Sequence, residues 1–450
     1  MTEKNLTPNL EVFQHLFNLD KRTVEAIKGD ILKRESNKSS FLSRLSIAPW
    51  FVYTVSIFER MIAPSMSKSF DPSGDDFVFV SCIDPVHRVK TLPLVANNYK
   101  YTLFFLPTVT RPTVVKAYYK HYKENSAEKV YFGTFKRSDV TKYKSFIKQN
   151  AASFNQIQCD NENDTRVLRE YARRFALYQI YAERVFANSN KDRLWLFEHD
   201  KFFFIPVINY FRGKGIMTTQ LQHGTFFNPD NTTYFPLYSD KVICCSEREK
   251  GLYKETGVKD CDIYIVGAPL QTIGPKKRID VEEIYDLAVV LTSTAPDELE
   301  LQKKVLTYIK ENLRDKKVLL RFRPRSAAVD KENLSEYTDD FIISEGTTLS
   351  EDLCSAKKII TFSLDSIYEI IRNDKIFVTF VDQTDMIGQS LDRICHSVDE
   401  TETCIEELFE ATADSERERY VEVFGETDLE KLRENFKMVI NELKKNNKEQ

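Results

Sequence analysis

Glycine is scarce in this chain, with only 13 among 450 residues. Seven of them fall between Gly213 and Gly274, which marks a stretch where backbone must turn tightly or come close to something bound. No charge of one sign dominates. The net charge is −4 and the pI about 6.0, with lysine and arginine interspersed among acids. That balance excludes general nucleic-acid binding, which needs a basic face or stripe. No apolar run is long enough to cross a bilayer, which takes about 20 residues; the longest extends from Ile47 to Phe58. The eight cysteines lack metal-binding spacing. Cys244 and Cys245 are adjacent on an expected strand and so point to opposite faces. Cys82, Cys159, Cys261, Cys354, Cys395 and Cys404 are scattered, as in a cytoplasmic protein with reduced, mostly buried thiols. No signal-peptide pattern opens the sequence, and neither an internal repeat nor a low-complexity tract is present.

The length exceeds what one hydrophobic core usually serves, so two domains are expected. Residues 1–70 read as a helical extension with irregular breaks. Lys33, Arg34, Lys38 and Arg44 precede the Ile47–Phe58 run. The run is therefore either a membrane-surface contact or a helix packed on the first domain. From the turn-rich segment Asp71 to Asp76 onward, strands and helices alternate. The first series has strands at Phe77–Cys82, Tyr101–Leu106, Lys129–Phe132, Leu194–Phe197, Ile216–Leu221 and Lys241–Cys245, then a further strand running up to Val266-Gly267. A helix is expected from about His87 to Ala96, and a long amphipathic one carries Leu168, Tyr171, Phe175, Tyr178, Ala182 and Val185. Gly274 to Asp280 has linker composition. A second series then places strands near Asp286–Thr292, Lys317–Phe322, Asp340–Ile343, Lys358–Phe362 and Ile376–Phe380. An amphipathic helix from Leu429 to Lys444 ends the chain. Short apolar strands alternating with helices predict parallel sheets covered on both faces. The expected fold is α/β, with two doubly wound domains facing across a cleft: residues 71–272 and 273–428, flanked by the extension 1–70 and the closing helix 429–450.

Open α/β sheets bind ligands beyond the carboxyl ends of their strands, and candidate residues concentrate there. In the first domain Asp84 and His87 follow the first strand, Glu198, His199 and Asp200 follow the fourth, and His223 ends the next, in the turn Gln222-His223-Gly224. A general base belongs in such a set. His87 and His199 read as structural; His223, in its glycine-rich turn, reads as functional. In the second domain Ser293 and Thr294 precede a helix, where they either bind phosphate or simply cap. Arg323 and Arg325, with Arg321, form an arginine cluster at a strand end. It suits forked binding of phosphate, with a plain surface charge run as the competing reading. Thr347 or Thr348 caps the next helix, and Gly346 would let backbone approach a flat ligand such as a nucleobase. Ser363 and Ser366 stand near a helix start suited to phosphate, and Glu369, one turn in, could accept from both ribose hydroxyls. No histidine–carboxylate spacing suggests a metal.

The segment Gly215 to Gly224 (GIMTTQLQHG), Ser239-Asp240 with Gly257, Val266 to Pro269, the arginine–proline–arginine strand end, Thr348 to Leu353 and Ser363 to Glu369 together resemble bacterial glycosyltransferases of the GT-B architecture. The likeness is greatest to the polysaccharide-biosynthesis proteins that build capsule and lipopolysaccharide, and it covers roughly residues 190 to 385. Arg323-Pro324 stands where family members often carry a His-Pro pair. The resemblance implies a nucleotide-sugar donor, CMP- or UDP-linked, bound mainly by the second domain through Ser293, Thr294, Arg323, Arg325, Thr347, Thr348, Ser363, Ser366 and Glu369. It implies a glycan or lipid-linked glycan acceptor on the first domain. Transfer would proceed by inverting displacement without an essential metal or other cofactor. Glu198 or Asp84 would act as base, and His223 would stabilise the departing phosphate or share the base role. The expected setting is the cytoplasm, with peripheral contact to the inner membrane face. Alternatives of the same architecture are a sugar-nucleotide 2-epimerase, a glycerophosphotransferase and a non-catalytic glycan-binding module.

Overall fold

The computed structural model describes residues 3–35, 70, 74–82, 95–96, 98–107, 129–198, 201–222, 236–268, 281–291, 296–322, 331–363, 366–381 and 394–448. The Ile47–Phe58 run, and the expected His87–Ala96 helix up to residue 94, lie outside them.

Thirteen strands form two sheets among the described residues. The first contains β1 (Phe77–Cys82), β2 (Tyr101–Leu106), β3 (Lys129–Phe132), β4 (Leu194–Glu198), β5 (Thr218–Leu221), β6 (Lys241–Cys244) and β7 (Ile263–Ile265). Their order is β3-β2-β1-β4-β5-β6-β7, with every pairing parallel. The second contains β8 (Tyr285–Val290), β9 (Val318–Arg321), β10 (Ile342–Ile343), β11 (Ala356–Thr361), β12 (Ile376–Val381) and β13 (Cys395–Ser397), ordered β10-β9-β8-β11-β12-β13 and again parallel throughout. Both sheets thus follow the 3-2-1-4-5-6 winding of doubly wound α/β domains.

The side-chain alternation of strands divides the first sheet's core in two. Phe77, Phe79, Leu103, Phe105, Leu194 and Leu196 face one cluster. Val78, Val80, Phe104, Leu106, Trp195 and Phe197 face the other. The second cluster is covered by the helices Glu162–Val185 and Lys201–Gly213, where Phe211 lies 4.6 Å from Trp195, ring centre to ring centre, at 65°. The N-terminal helices Glu3–Phe17 and Lys21–Glu35 add a further layer on this side, buried through Leu6, Phe13, Ala26 and Ile27. Arg22 anchors them to the domain through the carbonyl of Ser239 (3.1 Å), as does Arg212 by bonding Thr23 (2.6 Å) and Asp20 (2.9 Å).

The chain visits the second sheet and then returns to the first. Its closing helix, Leu429–Lys448, buries Leu432, Phe436, Ile440 and Leu443 in the same cluster as Phe77. Lys444 pairs with Asp76 at 2.5 Å, and Asn447 donates to the carbonyl of Lys191 at 2.6 Å. The crossing point is tight. A Cβ on Gly425 (φ +93°) would lie 2.0 Å from the Cys245 carbonyl oxygen, and one on Gly267 (φ +126°) would lie 2.7 Å from that of Glu426. Glycine is required at both positions, because backbone meets backbone where Ala268 donates to the Glu426 carbonyl (2.7 Å). Among the described residues no helix is long and apolar enough to cross a membrane.

Candidate functional site

In each sheet the winding reverses between the first and fourth strands, which are neighbours, and the crevice beyond their carboxyl ends is where such sheets take ligands. In the first sheet that point lies between β1 and β4. Ser81 near the end of β1 donates its hydroxyl proton to Glu198 at the end of β4, at 2.5 Å, and both side chains are fully buried. The adjoining strand β5 is unusually polar for a central position: Thr218, Thr219 and Gln220 are all completely buried. Gln220 accepts from Ser239 at 3.1 Å, whereas its amide nitrogen has no hydrogen-bond partner among the described residues. Asp240 holds the other end of β5, accepting from both the backbone and the hydroxyl of Thr218 at 2.8 Å. That aspartate at the head of β6 secures strand pairing.

In the second sheet the reversal lies between β8 and β11. Beyond β11 the backbone folds into a knot of hydroxyls. Thr361 Oγ1 accepts from the Ser363 amide at 3.1 Å and shares a 2.7 Å hydrogen bond with Ser366, which also donates to the Ser363 carbonyl at 2.7 Å. Ser366 is buried and directs its hydroxyl back to this loop instead of capping the helix Ile367–Arg372 that it precedes. Ser363 is half-buried. Glu369 receives hydrogen bonds from Ser350 and, at 3.2 Å, from Arg372. It therefore ties the helix Leu349–Ser355 to the helix that follows β11.

Several residues on the expected donor side hold the local structure together. Strand β9 ends at Arg321, and its guanidinium is committed to Asp352, with further bonds to Ser344 Oγ and the Thr347 carbonyl at 3.2 Å. Asp352 is also held by Ser344 and Thr347, each at 2.5 Å. Arg321 thus leaves the arginine cluster in which it was grouped, because a buried carboxylate already claims it. Thr348 is the helix cap, its hydroxyl accepting from the Glu351 amide at 3.3 Å while Glu351 accepts from the Thr348 amide at 2.6 Å. Gly346 takes a left-handed turn (φ +76°) with open space where a Cβ would stand. His223, Asp84, Ser293, Thr294, Arg323 and Arg325 lie outside the described residues, as do His87, His199 and Asp200. In sequence His223 stands two residues beyond β5, Asp84 two beyond β1, and Arg323 two beyond β9.

One group with ligand chemistry escaped the sequence reading. His396, Glu400 and Cys404 bring a ring nitrogen, a carboxylate oxygen and a sulfur within 4.8 Å of one another. Burial pushes the Cys404 thiol up to about 12, with Glu400 and Glu407 adding to the rise.

No protein-family model matches the sequence, and no curated protein matches it. Similarity appears at the level of fold. The chain is similar to UDP-GlcNAc 2-epimerase from Methanocaldococcus jannaschii, with a TM-score of 0.50 and 13% identity over 81% of this chain and 99% of that one. It is also similar to UDP-N-acetylglucosamine 2-epimerase from Rickettsia bellii (TM-score 0.50, 12% identity, 82% and 97% covered). A protein from Listeria monocytogenes described as a putative UDP-N-acetylglucosamine 2-epimerase gives 0.51 at 10% identity, with 81% and 96% covered. The class is therefore a two-domain Rossmann-like α/β protein of GT-B type. At these identities the likeness is one of fold alone.

Proposed function

We propose that this chain is a nucleotide-sugar enzyme, and specifically a glycosyltransferase that moves a sugar from a CMP- or UDP-linked donor to a surface-glycan acceptor with inversion. The observation that carries the reading is the hydroxyl knot of Thr361, Ser363 and Ser366 at the reversal point of the second sheet. Thr361 and Ser366 are buried and bonded to one another, so they shape the turn, and its backbone with the half-buried Ser363 suits the phosphates of a nucleotide. Arg323 and Arg325 neutralise the charge that develops on the departing phosphate, a task preorganised cations perform well. Ser293 and Thr294, which follow β8 in sequence, complete the donor side, while Thr347, Thr348 and Glu369, engaged with Asp352, Glu351 and the Ser350 and Arg372 side chains, hold the adjoining helices in place.

The acceptor lies at the reversal point of the first sheet. A base must come within hydrogen-bond reach of the acceptor hydroxyl. Glu198 is fully buried and held by Ser81, which suits ordering the crevice better than meeting a substrate. Asp84, beyond the end of β1, is then the base. His223 stabilises the leaving phosphate.

A second reading is epimerisation at C2 of a UDP-sugar, favoured by the likeness in fold to UDP-GlcNAc 2-epimerases. Nucleotide release separates the two. Purified protein would be incubated with CMP- and UDP-linked sugars, with and without glycan acceptors. Transfer predicts release that depends on acceptor. Epimerisation predicts an isomerised sugar with no acceptor dependence, and inertness toward every donor would contradict both.

A further inference from the structure

We propose that His396, Glu400 and Cys404 form a zinc site that fastens the edge strand of the second sheet to the helix behind it. His396 is the middle residue of β13, Glu400 precedes the helix Thr401–Glu410, and Cys404 is one turn inside it. Their spacing of four residues spreads three different ligand types over a strand, a turn and a helix. The fold nevertheless gathers all three ligand atoms within 4.8 Å. Ligands of one tetrahedral zinc ion stand roughly 3.5 Å apart, as metal–ligand bonds of about 2.0–2.3 Å require. A small side-chain adjustment closes the difference.

The surroundings fit a cation of this class. Imidazole, thiolate and carboxylate are all zinc ligands, and three protein ligands leave a fourth position for water. His396 and Cys404 are buried while Glu400 is exposed, so the group sits at the edge of the core with one side open to solvent. One zinc ion with one thiolate and one carboxylate is electrically neutral, which suits a half-buried setting. The site stands two strands away from β11, on the outer edge, and the Phe380 ring on β12 packs 6.3 Å from that of His396. This placement gives the ion a stabilising role separate from the sugar chemistry. β13 has only three residues, and the ion would add a tie between it and the helix Thr401–Glu410.

The test uses the full-length reduced protein, with Co2+ as a spectroscopic stand-in and Zn2+ as competitor. One equivalent of Co2+ should produce a thiolate-to-cobalt charge-transfer band that Zn2+ abolishes, and Zn2+ should raise the melting temperature. Cys404→Ser should remove the band, whereas Cys261→Ser, at an exposed cysteine, should keep it. Glu400→Gln, a change at an exposed side chain, should weaken Zn2+ binding at least about tenfold, since even outer-shell partners are worth that much. Absence of the band in folded wild-type protein would overturn the site. So would a band that survives Cys404→Ser or an affinity unmoved by Glu400→Gln.

Discussion

Arg321 and Arg323 are two residues apart, and the proposed function gives them different tasks. Arg321 is paired with Asp352 in an environment where both side chains are nearly closed to solvent (12% and 5% exposed). Removing one partner of a buried ion pair costs about 3–5 kcal/mol. Arg321→Met should therefore lower the denaturant midpoint sharply, whereas Arg323→Ala should abolish transfer and leave the unfolding curve in place. Loss of stability in Arg323→Ala with full turnover would invert these assignments. Asp76 makes a pH-dependent contribution. Burial pushes its carboxyl up, but hydrogen bonds from the Lys444 ammonium and the Lys100 amide outweigh that and hold it below its ordinary 3.8. A depressed folded pKa adds stability above the unfolded value and loses it as pH falls through the folded one. Asp76→Asn should therefore lower stability at neutral pH, by less than about 1 kcal/mol for a pair this exposed, and flatten the acid limb below about pH 4. Urea unfolding at pH 7 and pH 3 checks both parts.

Among the elements, the closing helix is the most consequential, because it returns from the second sheet to cover the first. Phe436 is fully buried, with its ring 5.9 Å from Phe77 and 6.0 Å from Tyr99. Phe436→Ala should destabilise by about 3–5 kcal/mol, the usual cost of emptying an aromatic site in a core. Gly425→Ala should cost at least about 1–3 kcal/mol from its positive φ, and more because its Cβ would strike backbone. Thermal unfolding of both variants measures this; a wild-type midpoint for Gly425→Ala would refute the tight crossing. Most strands were legible as short apolar runs between turn residues, and β1, β2 and β3 have the expected bounds. The departures have local causes. Strand β5 starts at Thr218 and not at Ile216, because the Ile216 amide is taken by the Phe211 carbonyl (3.0 Å) in the turn closing the preceding helix. Strand β10 is reduced to Ile342–Ile343 because the Asp340 amide is bonded back to Tyr337 (3.2 Å). Strand β13 was missed, since its three residues, Cys395 to Ser397, carry no apolar alternation. The ligand group beside it was missed because its members, though only four residues apart, span the end of a strand, a turn and the start of a helix, and so show no single-element spacing.

At the scale of the whole molecule, two sheets wound in the same order place two reversal points in one chain, each ending in polar residues. Thr361 and Ser366 meet locally, at the end of one strand. The meeting of Ser81 with Glu198 follows from that winding, and sequence could suggest strand ends but not which strands are neighbours. Nor could it show that Asp352, 31 residues from Arg321, claims that side chain. The proposed function turns on the second sheet holding a nucleotide sugar. A ligand that binds only the folded state stabilises it, by about 2.7 kcal/mol at one hundred times its dissociation constant. The most direct measurement is a thermal-shift series with CMP-, UDP-, GDP- and CDP-linked sugars on the wild-type protein and on Arg323→Ala. A CMP- or UDP-linked sugar that raises the wild-type melting temperature, with the shift lost in Arg323→Ala, is the predicted result. No shift with any nucleotide sugar, or the same shift in both proteins, would contradict it.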